Sequence, residues 1–322
     1  MKSRVVPIVA LCVLSLHASV SNVAQSQQDS SSDVIPERAT VFLTTAEISN
    51  LRQKAEKGDG NAEYSLGILY MEGLALLRDD TEGVKWYEAA AAQGLADAQF
   101  MLGYLYEHGK RIARDYGLAL AYYRGAAEQG HASAANNLAA MYQHGQGVPK
   151  NLKEANKWYR IAAEHGNATA QCNLASLYFS DKGAARDYQE AARWFRAAAE
   201  QGLPVAQSNL GVMYYSGIGV PLDFVQSAHW TRRAAEQGYM RAQTDLGYLY
   251  EQGKGVPLDY VTAYTWYSLA AARGDSQSLA RMKSLAHVMT RTQLVKARVS
   301  AGAPQNSTHS EPRSASSLPK QR

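Results

Sequence analysis

Apolar residues return along this chain with the period of a helix, and the helices return with a period of their own. Between Ala206 and Tyr215, the residues Ala206, Leu210, Met213 and Tyr214 share one helical face, and nothing alternates as a strand would. The spacing predicts a first helix, A. It ends at Gly217-Ile218-Gly219-Val220-Pro221, where glycine takes positive φ and proline forbids continuation. Asp223 then stands where a helix N-cap is wanted. The second helix, B, carries Ser227, Trp230 and Ala234 at i, i+3 and i+7 as its stripe for burial.

The same marks return every 36 residues. Each unit closes on a glycine: Gly58, Gly94, Gly130, Gly166, Gly202, Gly238 and Gly274. Helix A repeats Leu66, Leu102, Leu138, Leu174, Leu210 and Leu246, then Tyr70, Tyr106, Tyr142, Tyr178, Tyr214 and Tyr250. Helix B repeats Trp86, Tyr122, Trp158, Trp194, Trp230 and Trp266. Its N-cap position reads Asp79, Asp115, Asn151, Asp187, Asp223 and Asp259, and Glu82, Glu154, Glu190 and Gln226 follow three residues on in capping-box spacing. Units one, two and four lack the Gly-x-Gly-Val-Pro turn (Gly73-Leu74-Ala75, Gly109-Lys110-Arg111, Asp181-Lys182-Gly183), so their turns are expected to differ in conformation. Small residues such as Gly67, Gly103 and Gly211 on helix A, with Ala155, Ala191 and Ser227 on helix B, allow the paired helices to approach to the short end of about 8 to 10 Å, the tryptophan-row aromatic filling the remaining gap. One pair cannot bury both of its faces, so neighbours must stack.

The pattern A-x-x-x-L-G-x-x-Y-x-x-G-x-G-V-x-x-D-x-x-x-A-x-x-W-Y-x-x-A-A-x-x-G resembles the Sel-1-like repeat, a relative of the tetratricopeptide repeat, over about residues 58 to 274. The resemblance implies an all-α, right-handed α-solenoid of six repeats with terminal cap helices. It also implies an adaptor for protein complexes, as in secretory-pathway quality control in eukaryotes and among exported regulators, envelope organisers and host-interaction factors in bacteria. A cysteine-rich branch of the family has been credited with binding or hydrolysing β-lactams. This chain departs from that branch: its two cysteines are Cys12 and Cys172, and no repeat holds a pair.

The ends read differently from the array. Residues 1 to 24 open with Lys2 and Arg4, run apolar from Val5 to Leu16 and reach small residues at Ser19-Val20-Ser21 and Asn22-Val23-Ala24, the pattern of a secretory signal peptide. The apolar run is too short for a membrane span, which needs about 20 residues. Residues 25–43, rich in Gln, Ser and Asp, read as a linker; 44–58 as a lone cap helix opened by Thr44 and Glu47; 59–274 as six repeats; 275–300 as C-terminal cap helices; 301–322 as a disordered tail. An exported protein is expected, secreted or periplasmic, or in the secretory lumen of a eukaryote. No membrane span is expected in its mature chain, and an association with an envelope would run through a partner.

Loss of the leader removes Lys2 and Arg4 and no acid, taking the formal charge from +4 to +2. No basic tract lies in the repeats, which argues against nucleic acid. The mature chain keeps Cys172 alone, so no internal disulfide can form. Asn167-Ala168-Thr169 and Asn306-Ser307-Thr308 are glycosylation sequons with meaning only in a eukaryotic secretory host. No metalloprotease, Cys-x-x-Cys, phosphate-loop or nucleophile-elbow motif is present, and neither a catalytic residue nor a metal or cofactor is expected. His108 and His144 are repeat equivalents, about one helix spacing apart, too far to share a metal. Glu128, Glu164, Glu200 and Glu236 form an evenly spaced row that reads as a solvated or turn-bonding ridge.

What remains is one stripe of helix A. Positions equivalent to 65, 68 and 72 lie beside the packing face, and in tetratricopeptide-type arrays this stripe lines the concave groove. Position 65 reads Ser65, Met101, Asn137, Asn173, Asn209, Asp245; position 68 reads Ile68, Tyr104, Ala140, Ser176, Val212, Tyr248. Asn137, Asn173, Asn209 and Asp245, flanked by Tyr104, Tyr248 and His144, are the candidate residues for gripping a partner protein or peptide. The competing reading makes these asparagines structural, bonding neighbouring turns. Two other functions stand beside the scaffold: an enzyme or binder acting on cell-wall peptide or β-lactam, and a passive structural spacer.

Overall fold

A computed structural model describes residues 44–180 and 186–302. The expected leader and linker, the turn at 181–185, the second sequon and the tail beyond 302 lie outside the described residues. Within them the chain is helical and holds no strand. Backbone contacts divide it into two compact units, Met1–Tyr239 and Met240–Arg322.

In the first unit a cap helix, α1 (Thr45–Glu56), precedes five helix pairs. These are α2 (Gly60–Glu72) with α3 (Asp80–Ala92), α4 (Ala96–His108) with α5 (Tyr116–Glu128), α6 (Ala132–His144) with α7 (Leu152–Glu164), α8 (Ala168–Ser180) with α9 (Tyr188–Glu200), and α10 (Pro204–Ser216) with α11 (Phe224–Glu236). Each A helix packs most extensively on its own B helix and next on the B helix before it, so the pairs stack. The second unit holds α12 (Met240–Gln252) and α13 (Tyr260–Ala272), followed by α14 (Ser276–Val288) and α15 (Arg291–Gly302), and α13 receives both of these last helices. The protein is an all-α solenoid of stacked helix pairs.

The B helices start where the N-cap residues place them. The carboxylate or amide oxygen of Asp79, Asp115, Asn151, Asp187, Asp223 and Asp259 accepts from the backbone N–H groups two and three residues on. The expected capping boxes do not close. Each N-cap N–H already donates to the carbonyl of the repeat tyrosine across the turn, as Asp79 does to Tyr70 at 3.0 Å and Asn151 to Tyr142 at 2.8 Å, so nothing remains for the N3 side chain to accept. Glu82 and Glu190 pair instead with Lys85 and Arg193 one turn on, at 2.5 and 2.8 Å. Among the described residues the box does form at Thr44 with Glu47 and again at Thr290 with Gln293.

The turns differ less than their sequences. Gly73 and Gly109 end their A helices in the left-handed conformation, as Gly145 and Gly217 do. Where the third and fifth repeats place a second positive-φ glycine, at Gly147 and Gly219, the first repeat forces Ala75 into the same region at φ 57°. The second repeat departs: Arg111 turns back and donates to the Met71 carbonyl at 2.7 Å and to Glu72 at 3.0 Å. Gly219 is needed twice over, because a Cβ there would lie 2.0 Å from the Tyr188 carbonyl oxygen.

The gap between paired helices is filled by a different aromatic from the one the stripe predicts. The residue after the tryptophan row, Tyr87, Tyr123, Tyr159 and Phe195, is the one fully enclosed, whereas Trp158, Trp194 and Trp230 keep 7–8 % of their surface exposed and Trp86 is only half-buried. The glycines explain the choice. A Cβ on Gly67 would stand 2.5 Å from the Tyr87 ring, and one on Gly103 2.6 Å from the Tyr123 ring. Trp158, Trp194 and Trp230 are nevertheless buried in the same core, as the stripe predicts, and Arg193 covers the Trp194 ring at 4.4 Å.

Two polar ladders recur along the first unit, one between repeats and one within them. Arg52, Arg124, Arg160 and Arg196 on B helices each donate to the hydroxyl of the repeat tyrosine on the following A helix, Tyr70, Tyr142, Tyr178 and Tyr214. Between the first and second repeats Glu88 replaces the arginine and the bond reverses, Tyr106 donating to it at 3.4 Å. The second ladder runs inside repeats: Gln93 donates to Glu63, Gln129 to Gln99, Gln201 to Gln171 and Gln237 to Gln207, at 2.7 to 2.9 Å. The third repeat holds Ala135 in place of the acceptor, and there His165 in place of the glutamine turns to the Ile161 carbonyl at 2.8 Å.

Candidate functional site

Helical spacing puts positions 65, 68 and 72 on one stripe, and the structure gives each candidate on it a definite environment. Asn137 on α6 donates to the Tyr123 hydroxyl at 3.1 Å and accepts from Asn136 at 3.1 Å. Asn173 on α8 donates to Asn136 Oδ1 at 3.2 Å. Asn209 on α10 is 1 % exposed. Tyr104 on α4 is half-buried and stacks on His108 with ring centroids 4.1 Å apart, while His108 Nδ1 lies 2.9 Å from the Tyr104 carbonyl and donates to it. His144 is exposed at the last turn of α6.

These contacts join into one chain of hydrogen bonds across three repeats. It runs from Asn173 to Asn136, on through Asn137 to the Tyr123 hydroxyl, and ends at Glu107 Oε2, to which that hydroxyl donates at 2.7 Å. Burial holds the Glu107 carboxyl above the usual carboxylate range, a shift opposed by the Tyr123 bond and by His108 at 3.9 Å. Tyr123 and Glu107 are not among the sequence candidates. The signal for them lies in the repeats: Glu251 and Tyr267 occupy the same two positions, while the fourth repeat has Phe179 and Phe195 there, both buried.

In the second unit the stripe holds Asp245 and Tyr248 on α12. Asp245 lies 3.8 Å from Arg241, and burial raises its carboxyl above the usual aspartate value. Arg281 on α14, itself at the repeat position of Asn137, covers the Tyr248 ring at 4.9 Å and donates to Glu251 at 3.1 Å; Tyr267 donates to the same Glu251 oxygen at 2.5 Å.

Other groups raised by the sequence fall as follows. Glu128, Glu164, Glu200 and Glu236 are all exposed. Cys172 is fully buried, and burial pushes its thiol up to about 12, which makes it unreactive. Among the described residues no three His, Cys, Asp or Glu side chains gather where they could hold a metal ion, and no helix is long and apolar enough to cross a membrane. Two further hydroxyls escape a reading by spacing alone. Ser180 and Ser216, equivalent positions at the ends of α8 and α10, have buried Oγ atoms with no hydrogen-bond partner among the described residues.

Stacked, nearly identical helix pairs, each touching its neighbours, define a repeat protein. The model of the Sel1 repeat matches residues 60–95, 96–131, 132–167, 168–203, 204–239 and 241–275, and the chain belongs to the Sel1 repeat family, whose fold is commonly a protein-interaction scaffold. Among solved structures it is similar to a protective antigen of uropathogenic Escherichia coli strains that displays an SLR fold, at 33 % identity and TM-score 0.73 over 90 % of this chain. The match spans 60 % of that antigen's own length. It is also similar to a Sel1 repeat protein from Oxalobacter formigenes, at 31 % identity and TM-score 0.66, covering 85 % of this chain and 76 % of that one. Comparison with curated proteins gave no match.

Proposed function

We propose that this protein is an exported scaffold that binds a partner protein or peptide along the stripe of its A helices and carries out no catalysis of its own. In the first unit the contact residues are Asn137 and Asn173, flanked by Tyr104 and His144, while Asn209, the third asparagine of the row, is 1 % exposed and lies beneath this surface; in the second, Asp245 and Tyr248 hold the same stripe. The observation that carries the reading is the hydrogen-bond chain through Asn173, Asn136 and Asn137. An amide has two N–H groups and two acceptor lone pairs, so one or two internal bonds fix its plane and leave capacity for a ligand. A donor and acceptor held in place before binding lose little entropy when the partner arrives.

The test measures thermal midpoint and partner affinity on the same variants, with the partner captured from the compartment to which the protein is exported. Asn137→Ala and Asn173→Ala each remove an internal bond and should lower stability by about 1 kcal/mol. The scaffold reading requires a further loss of affinity of at least about 1 kcal/mol in the fraction that remains folded. Unchanged affinity in both variants would remove these residues from the site.

A further inference from the structure

The stripe changes character partway along the first unit. In α2, α4 and α6 its last position is Glu72, His108 or His144; in α8 and α10 it is Ser180 or Ser216. Over these two helices the stripe reads Asn173, Ser176, Ser180 and Asn209, Val212, Ser216, without a charge. Ser65, Ser176 and Thr265 turn back to the carbonyls of Asn61, Cys172 and Val261 four residues earlier, at 2.7, 2.8 and 2.9 Å, while Ser208, off the stripe in the core of α10, has a buried Oγ without a partner among the described residues. Ser180 and Ser216 do not turn back either. Ser180 is only 7 % exposed, and both Oγ atoms are buried with no partner among the described residues. A buried hydroxyl without a partner is unfavourable, and its recurrence at equivalent positions of adjacent repeats calls for a ligand.

We propose that the stripe of α8 and α10 is a binding position for the main chain of an extended peptide with small, uncharged side chains, Ser180 and Ser216 supplying its hydrogen bonds. The proposal rests on the reading that the A-helix stripe receives the partner, and it names what that partner presents over the fourth and fifth repeats. A hydroxyl both donates and accepts, so it meets a peptide carbonyl and a peptide N–H equally well. With no cation or anion on this part of the stripe, a charged side chain of the partner would be left without compensation. Helices one repeat apart stand about 10 Å from one another, and an extended chain rises about 3.3 Å per residue, so the two serines meet peptide groups three residues apart. Main-chain recognition of this kind tolerates many sequences.

That tolerance makes a generic probe usable. The isotope-labelled full chain is titrated with a neutral peptide of Gly, Ser and Asn about ten residues long, enough to cross three repeats. Amide signals of Asn173–Ser180 and Asn209–Ser216 should shift, and Ser180→Ala with Ser216→Ala should weaken binding about tenfold, with the thermal midpoint unchanged or raised because neither hydroxyl has an internal bond to lose. Shifts confined to the stretch from Tyr104 to His144, with the double variant binding like the parent, would overturn the proposal and leave the groove reading standing. A fallen midpoint in the double variant would make the hydroxyls structural and overturn it too. No shift anywhere at millimolar peptide would remove both.

Discussion

The Tyr123 hydroxyl on α5 donates to Glu107 on α4 at 2.7 Å, and four repeats later Tyr267 donates to Glu251 in the same way. The pair replaces, at equivalent positions, the buried Phe179 and Phe195 of the fourth repeat. Tyr123→Phe therefore strips a buried carboxyl of its donor and should lower stability by about 1 to 3 kcal/mol in urea unfolding. Adding Glu107→Phe imports the fourth repeat's solution, and the double variant should recover part of that loss. A double variant no better than the sum of its two singles would refute the equivalence.

His131 gives the fold a pH dependence of known sign. Its Nδ1 accepts from the Ala134 N–H at 3.1 Å as the N-cap of α6, its ring stacks on Phe100 at 4.5 Å, and Asp97 lies 3.4 Å from Nε2. Burial lowers its pKa below 6.5, against the pull of Asp97. The unfolded chain then takes up the proton first as pH falls, so the stability this residue contributes is present above about pH 6.5 and is lost as pH drops through the lowered folded value. Asn167, at the equivalent position of α8, caps with Oδ1 at 2.8 Å from the Ala170 N–H and does not titrate. His131→Asn should thus flatten the slope of unfolding free energy between about pH 5 and 8 without removing the cap. An unchanged slope would place the titration elsewhere.

Gly219 and Gly202 both have positive φ, at 71° and 95°. A Cβ at Gly202 meets nothing within 4 Å, whereas at Gly219 it would lie 2.0 Å from the Tyr188 carbonyl. Gly202→Ala should carry the backbone penalty alone, about 1 to 2 kcal/mol. Gly219→Ala adds the collision and should cost at least about 1 kcal/mol more. Equal thermal midpoints for the two variants would show that the turn yields freely.

Export is tested at the N-terminus. The charged, apolar and small-residue segments of the first 24 residues predict a mature chain beginning near residue 22 or 25. Terminal sequencing of the protein from its native cell reads the site directly; intact Met1 in a cytosolic fraction would defeat the prediction.

The sequence by itself determined where each helix begins and ends. The 36-residue register, the helix ends and the six N-caps follow from it, because a cap or an αL glycine is set by neighbours two to four positions away. It could not decide between adjacent side chains. Trp194 and Phe195 are both buried, and which of them is enclosed completely depends on where the partner helix approaches, as the absent Cβ of Gly67 and Gly103 shows for Tyr87 and Tyr123. The N3 glutamates failed to close capping boxes for a reason of the same kind, since the N-cap N–H had already gone to a tyrosine carbonyl across the turn. At the site, the spacing put Asn137 and Asn173 on one stripe, but only packing supplied Tyr123 and Asn136 as their partners, from an adjacent helix and an adjacent repeat. Local chemistry fixes the element; the neighbour it stacks on fixes what each polar atom is free to do.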